Sequence, residues 1–292
     1  TAGVRVCFKT DSTRSVIRVT NEHAVVMSHM PASGSGGLAL YVGEPYRMQP
    51  CRGVIPDQQA TTFERELLVN LPRAMREYTL YLPLYNICRK LEIGLVAGSA
   101  IQPPTPPSFA KPVVFYGTSI TQGGCASLPC SDYVATIGRR LNVDVVNLGF
   151  SGNGRGDPEV ATLMSEIDAA LYVLAYSENA SPGELAQTLP RFVAILRERH
   201  PITPILLLTQ IPFWTGFAAP QQGPPNEDRR DVMLTQYVNL RQAGDRYLHL
   251  ADGYGMMPPQ TDATYVHGCH PTDHGFQIMA ERLAPMIARL LV

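Results

Sequence analysis

Two side chains in this sequence stand where chemistry is possible. Ser119 follows a short apolar run in Val113-Val-Phe-Tyr-Gly-Thr-Ser119. His270 sits in His267-Gly-Cys-His-Pro-Thr272, just before the last helix-patterned segment. A serine on the turn between a buried strand and a helix exposes its hydroxyl, and its own N–H lies at a helix N-terminus that favours negative charge. Position 121 is Thr, so the G-x-S-x-G elbow is absent. Two further segments end apolar runs in the same way. Asn147-Leu-Gly-Phe-Ser-Gly-Asn-Gly154 carries glycines that let backbone N–H groups approach a ligand, and Tyr176-Ser-Glu-Asn179 carries a side-chain amide. Taken alone, each segment reads equally as a helix cap or a turn. Together they supply a hydroxyl, an imidazole base and three oxyanion donors: the N–H of Ser119, the N–H of Gly152 and the amide of Asn179. These are the parts acyl transfer needs.

The elements around them suggest why the set converges. Val113–Tyr116, Val143–Leu148, Leu171–Ala175, Ile205–Gln210 and Tyr247–Leu250 are compact apolar runs. They alternate with helical stretches at Asp132–Leu141, Glu159–Ile167, Glu184–Arg199 (Pro190 a kink) and Arg229–Ala243, and a last helix buries Phe276, Met279, Leu283 and Ile287 behind an N-cap at Thr272. This rhythm predicts an α/β fold, a flavodoxin-like parallel sheet with helices on both faces, whose ligands bind at the carboxyl ends of the strands. Before it, Val4–Phe8, Ser15–Thr20, Ala24–Met27, Leu38–Val42, Glu66–Asn70, Glu77–Leu82 and Leu91–Val96 read as short strands of an all-β sandwich. Five prolines between Gln102 and Pro112 make a stiff linker. The expected division is a sandwich over 1–101, a linker over 102–112 and the α/β domain over 113–292.

The α/β part resembles the SGNH/GDSL hydrolase family, whose four blocks carry Ser, Gly, Asn and His in this order. Ser119, Gly152, Asn179 and His270 match them one by one, with Val113-Val-Phe-Tyr-Gly-Thr-Ser-Ile-Thr-Gln-Gly123 and Cys269-His-Pro-Thr-Asp273 the most specific stretches. The first part resembles the β-sandwich of a subgroup marked by Gly-x-Asp-Leu-Tyr, here Gly37-Leu-Ala-Leu-Tyr41 with Ala39 in place of Asp. The resemblance implies a serine esterase that passes through an acyl-enzyme on Ser119. The alternatives are an acyltransferase using the same serine with an alcohol acceptor, and a catalytically silent binding protein.

In that family an Asp three residues before the catalytic His orients its imidazole; here the position is His267. Replacing the triad Asp by its amide costs about 10⁴ in turnover in the serine-protease template. The sequence therefore asks for another orienting group: Glu178 first, then Asp262, with Asp273 last because its place in the first helical turn already explains it. The remaining alternatives are a backbone carbonyl on the ring, or a reaction other than hydrolysis.

A net charge of −1, with scattered basic residues, gives no reason to expect nucleic acid or an anionic membrane as partner. No apolar run approaches the roughly 20 residues of a membrane span, so the expected partner is a small-molecule ester. The oligomeric state stays open. No leader is visible, which slightly favours the cytoplasm, although the chain begins at Thr1. Cys125 and Cys130 are close enough in sequence to pair or to stay free. Together with His267, Cys269 and His270 they contain metal-ligand chemistry, but the spacings fit no zinc pattern, so no metal and no cofactor is expected. The Pro- and Gly-rich segment Pro212–Arg230, with Trp214 and Phe217, reads as a lid-like loop or a passive insertion.

Overall fold

Alternation of apolar and polar residues shapes the first hundred positions. In the computed structural model, which describes residues 2–24, 27–57, 60–213, 227–258 and 262–291, they form two antiparallel sheets. One has the order β4 (Gln49–Val54), β3 (Leu38–Val42), β6 (Arg76–Tyr81), β1 (Arg5–Thr10), β8 (Ile101–Gln102). The other has the order β5 (Thr62–Leu68), β2 (Ser15–Asn21), β7 (Cys88–Leu95). Ile17 and Val19 of β2 point inward while Arg18 points out, and they meet Leu38, Leu40, Tyr78 and Leu80 of the facing sheet in one core. One short helix, α1 (Ala32–Ser35), precedes β3.

Three features of this domain differ from the sequence reading. β5 begins at Thr62, because Glu64 and Glu66 are not turn residues but pair across the sheet with Arg18 and Arg14. β4 was not expected. It carries Pro50 and Gly53, and it occupies a sheet edge, where a proline's missing N–H leaves no ladder bond unmade. The stretch expected as a strand over Ala24–Met27 is described only in part, and its described end is a turn closed by the Met27–Met30 bridge. The proline-rich segment is fastened at both ends. Thr105 donates to the Glu77 carboxylate from its N–H (2.8 Å) and hydroxyl (2.7 Å), and the Ser108 N–H donates to the Asn142 carbonyl.

Past residue 112 every described strand is parallel. The order is β10 (Val145–Gly149), β9 (Val113–Gly117), β11 (Leu171–Ala175), β12 (Ile205–Leu208), β13 (Leu248–Ala251), so the direction of winding reverses at β9. Val113 and Phe115 feed the core on one face of the sheet, Val114 and Tyr116 the core on the other, and all four are buried. The helices are α2 (Ser119–Gln122), α3 (Tyr133–Leu141), α4 (Pro158–Met164), α5 (Pro182–Arg199), α6 (Glu227–Gln242) and α7 (Asp273–Leu290). Among them α5 runs through Pro190 as one helix. Thr272 caps α7 by accepting from the Gly275 N–H. No described helix is long and apolar enough to cross a membrane. Trp214 and Phe217 lie outside the described residues.

Candidate active site

Strand register brings the functional blocks to one edge. Gly149 of β10 and Ala175 of β11 both pair with Gly117, the last residue of β9. Ser119, Gly152 and Asn179 follow these aligned ends by two, three and four residues, at the point where the winding reverses. Gly117 has to be glycine: a Cβ there would meet Thr121 Oγ1 at 2.1 Å and the Ala175 carbonyl at 2.5 Å. Thr118 caps α2 through its side chain, and Ser119 is the first helical residue, so its N–H has no intrahelical acceptor.

The turn after β10 is tied to that helix. Ser151 N–H donates to Gln122 Oε1 (2.9 Å) and Phe150 N–H to the Gly117 carbonyl (2.9 Å). Gly152 adopts φ +71°, the left-handed region that favours glycine, and a Cβ there would face open space. Asn179 Nδ2 donates to the Phe150 carbonyl at 3.3 Å, which places its amide beside the same turn.

His270 comes from the loop before α7. The loop folds back on itself, with the Val266 N–H donating to the His270 carbonyl and Gly268 at φ +81°. His270 Nε2 lies 2.8 Å from Ser119 Oγ, and Nδ1 lies 2.9 Å from His267 Nε2. The loop therefore brings together the two imidazoles that stand three residues apart in sequence. Burial, reinforced by His267 and His29, lowers the pKa of His270 to about 4, so the ring is a neutral acceptor across the ordinary pH range.

The second ring nitrogen of His270 thus meets His267, the position where sequence reasoning missed an acid. Neither Asp273 nor Glu178 contacts the His270 ring. Asp273 accepts from the N–H and the hydroxyl of Ser127, which in turn accepts from Ser33 Oγ through its carbonyl. Glu178 has one carboxylate oxygen buried without a hydrogen bond; burial pushes its pKa up to about 7, and its titratable neighbours are Arg229, Cys269 and Tyr133 rather than His270. The side chain of Asp262 lies outside the described residues.

Three residues at this site were not singled out. Tyr85 and His29 come from the β domain. The Tyr85 hydroxyl donates to the Ser119 carbonyl at 3.4 Å, and the His29 ring lies 5.5 Å from that of His267 and 5.8 Å from that of His270. Cys125, buried six residues past Ser119, enters the sequence reading only as a partner for Cys130 or a member of a poorly spaced metal-ligand group; both cysteines are free thiols. No local signal marks these three: the docking of the two domains brings His29 and Tyr85 here, and the fold of the α/β domain brings Cys125 beside the His270 loop. A cleft of about 560 Å³ opens alongside, lined by Leu84, Tyr85 and Ile87 of the β domain and by Gln122, Phe150 and Ser151 of the α/β domain.

Residues 110–288 match the GDSL-like lipase/acylhydrolase family, and residues 1–101 match the GxDLY domain, described as the N-terminus of SGNH-hydrolase-type esterases. A Bacteroides ovatus protein described as a GDSL-like lipase superposes with a TM-score of 0.92 at 30% identity, covering 99% of this chain and 85% of its own. The salicylyl-acyltransferase SsfX3 of a tetracycline biosynthetic pathway superposes with a TM-score of 0.79 at 26% identity, covering 100% and 83%. A family two carbohydrate esterase from Clostridium thermocellum, solved with cellohexaose, shares the fold at 16% identity, with a TM-score of 0.70 and coverage of 99% and 93%. No curated protein sequence matches the chain.

Proposed function

The chain belongs to the GDSL-like lipase/acylhydrolase family, and from that premise we propose that it cleaves carboxylic esters through an acyl-enzyme on Ser119. The observation that carries this reading is the 2.8 Å contact between Ser119 Oγ and His270 Nε2 at the strand edge. Ser119 Oγ attacks the ester carbonyl carbon while His270 Nε2 takes its proton. The oxyanion is held by the N–H groups of Ser119 and Gly152 and by Asn179 Nδ2. The alcohol leaves with the proton from His270. Water, deprotonated by the same nitrogen, then hydrolyses the acyl-serine and returns Ser119 to its hydroxyl form.

His267 takes the place of the orienting acid. Its Nε2 accepts from the Nδ1–H of His270, which keeps the lone pair of Nε2 on Ser119. This contact would fix the tautomer without giving the imidazolium the negative partner that a carboxylate provides.

The cleft beside the Gly152 turn is in the size range of small-molecule sites and would take the acyl or alcohol portion. That room also supports a second reading, in which an alcohol acceptor replaces water in the second step. The likeness to the salicylyl-acyltransferase over the whole chain points the same way.

Ser119→Ala should abolish hydrolysis of short-chain aryl esters and leave the thermal melt nearly unchanged. Activity within a few-fold of the parent would remove Ser119 from the mechanism. Adding an alcohol acceptor to the parent separates the two readings: a new ester forms if the enzyme transfers, and free acid alone if it hydrolyses.

A further inference from the structure

The imidazoles at the site outnumber what a serine and its base require. His29 and His267 are exposed, His270 is half-buried, and the thiol of Cys125 lies buried beneath them. One ligand atom from each of these four residues lies within 4.8 Å of every other. Three neutral nitrogens and one sulfur, with no carboxylate among them, make a donor set suited to zinc and poorly suited to magnesium or calcium. We propose that His29, Cys125, His267 and His270 form a Zn²⁺ site which, when filled, switches the Ser119–His270 pair off. The binding part stands on these four residues alone; the switching part rests on the ester-hydrolase reading.

The geometry is close to what zinc needs. Zinc–nitrogen bonds near 2.0 Å and zinc–sulfur bonds near 2.3 Å set tetrahedral ligand separations of about 3.3–3.7 Å. His267 Nε2 and His270 Nδ1, 2.9 Å apart as hydrogen-bond partners, open by about 0.4 Å when the ion replaces the proton between them. The exposed rings of His29 and His267 supply the remaining closure of about 1 Å by small side-chain rotations. Cys125 holds φ +72°, a left-handed conformation uncommon for a residue with a Cβ, and this turn directs the chain just after Gly123 and Gly124. The ligands come from three separate segments. His29 sits in the Met27–Met30 turn of the β domain, while Cys125 and the His267–His270 loop belong to the α/β domain, so one ion would clamp the two domains together.

The chemistry of the off state follows from the nitrogen that is used. His270 Nε2 already faces Ser119, so Nδ1 is the nitrogen free to turn from His267 to a metal. Coordination at Nδ1 places the ring's proton on Nε2, which then donates to Ser119 Oγ and can no longer accept from it. The Cys125 thiol releases one proton to solvent as the zinc–thiolate bond forms. Four protein ligands fill the tetrahedron and leave no position for a water nucleophile, so the filled site is inert.

The test uses the full chain after chelation. Zn²⁺ is titrated calorimetrically and Co²⁺ by absorption, with ester hydrolysis and thermal melting measured on the same samples. The expected result is one ion per chain, stoichiometric at micromolar protein, with a thiolate-to-cobalt charge-transfer band and a higher melting temperature. Hydrolysis falls in step with occupancy and returns on chelation. Cys125→Ser should remove the charge-transfer band, and both Cys125→Ser and the surface variant His29→Ala should weaken affinity by roughly tenfold or more. For each variant, inhibition is read as the ratio of its own rates with and without Zn²⁺. Absence of a one-to-one complex, or parent affinity in both variants, overturns the site. A stoichiometric complex with the charge-transfer band but undiminished hydrolysis upholds the site and instead overturns the role given to His270.

Discussion

Restoring a carboxylate beside His270 measures how much a histidine at position 267 leaves undone. His267 Nε2 and His270 Nδ1 lie 2.9 Å apart, and the proposed mechanism has Nδ1–H donate to His267, a hydrogen bond that lacks the negative charge of a carboxylate. Such a bond contributes about 0.5–1.5 kcal/mol, and one to a charged partner about 1.5–3 kcal/mol. The difference of about 1–1.5 kcal/mol corresponds to a rise in kcat of roughly five- to tenfold. The gain belongs to kcat and not KM, because imidazolium charge develops in the transition state. His267→Asp places the acid where the resembled family has it. His267→Glu is one methylene longer and reaches about as far as the imidazole Nε2, so the pair of variants separates charge from reach. A second signature accompanies the first. The His270 pKa is lowered to about 4 by burial and by its two histidine neighbours. A base works in its deprotonated form, so parent activity should persist into acid and decline only near that value. A carboxylate favours the imidazolium, so both variants should lose activity at mildly acidic pH where the parent retains it. Hydrolysis is followed with an aryl ester under chelation, with circular dichroism to confirm the fold. Unchanged or lower kcat in both variants, with the acid limb unmoved, refutes the account of His267.

Two further outcomes are expected. Asn179→Ala should lower kcat by roughly 10²–10³ with a smaller effect on KM, as loss of an oxyanion donor does, and steady-state kinetics in which KM alone rises would make Asn179 a ground-state contact. The Glu178 carboxyl, raised to about 7 by burial, keeps its proton in the folded chain between about pH 4.5 and 7, where the unfolded chain has released it. Its stability contribution is therefore complete below about pH 4.5 and lost as pH rises through 7, so melts of Glu178→Gln should be flatter than the parent's across that window, and parallel curves would contradict the assignment.

Much of the α/β half was legible because its strands are buried on both faces. Leu171–Ala175 is a continuous apolar run with no second reading, and its bounds hold to the residue. The strand-end rule then located Ser119, Gly152 and Asn179 without knowledge of any contact. The β domain was harder. β5 keeps two glutamates paired to arginines on β2, a stabilisation invisible until the partner strand is known, and β4 hides behind Pro50 and Gly53. His29, Tyr85 and Cys125 were illegible for a different reason. His29 and Tyr85 lie far from Ser119 in sequence and reach it through domain docking, by contacts such as Ser33 Oγ to the Ser127 carbonyl, whereas Cys125, only six residues on, meets the His270 loop within the α/β domain. The orienting role was sought among acids because the resembled family places one there. A turn closed between Val266 and His270 sets His267 Nε2 2.9 Å from His270 Nδ1 instead.

The claim that Ser119 is activated by His270 has a direct measurement. The intact mass of the metal-free protein after treatment with a fluorophosphonate should rise by one phosphonyl group, mapped by peptide sequencing to Ser119. The adduct should be absent in Ser119→Ala and slowed by orders of magnitude in His270→Ala, since the imidazole that takes the proton is gone. An unmodified parent, an adduct on another residue, or equal labelling rates with and without His270 would contradict it.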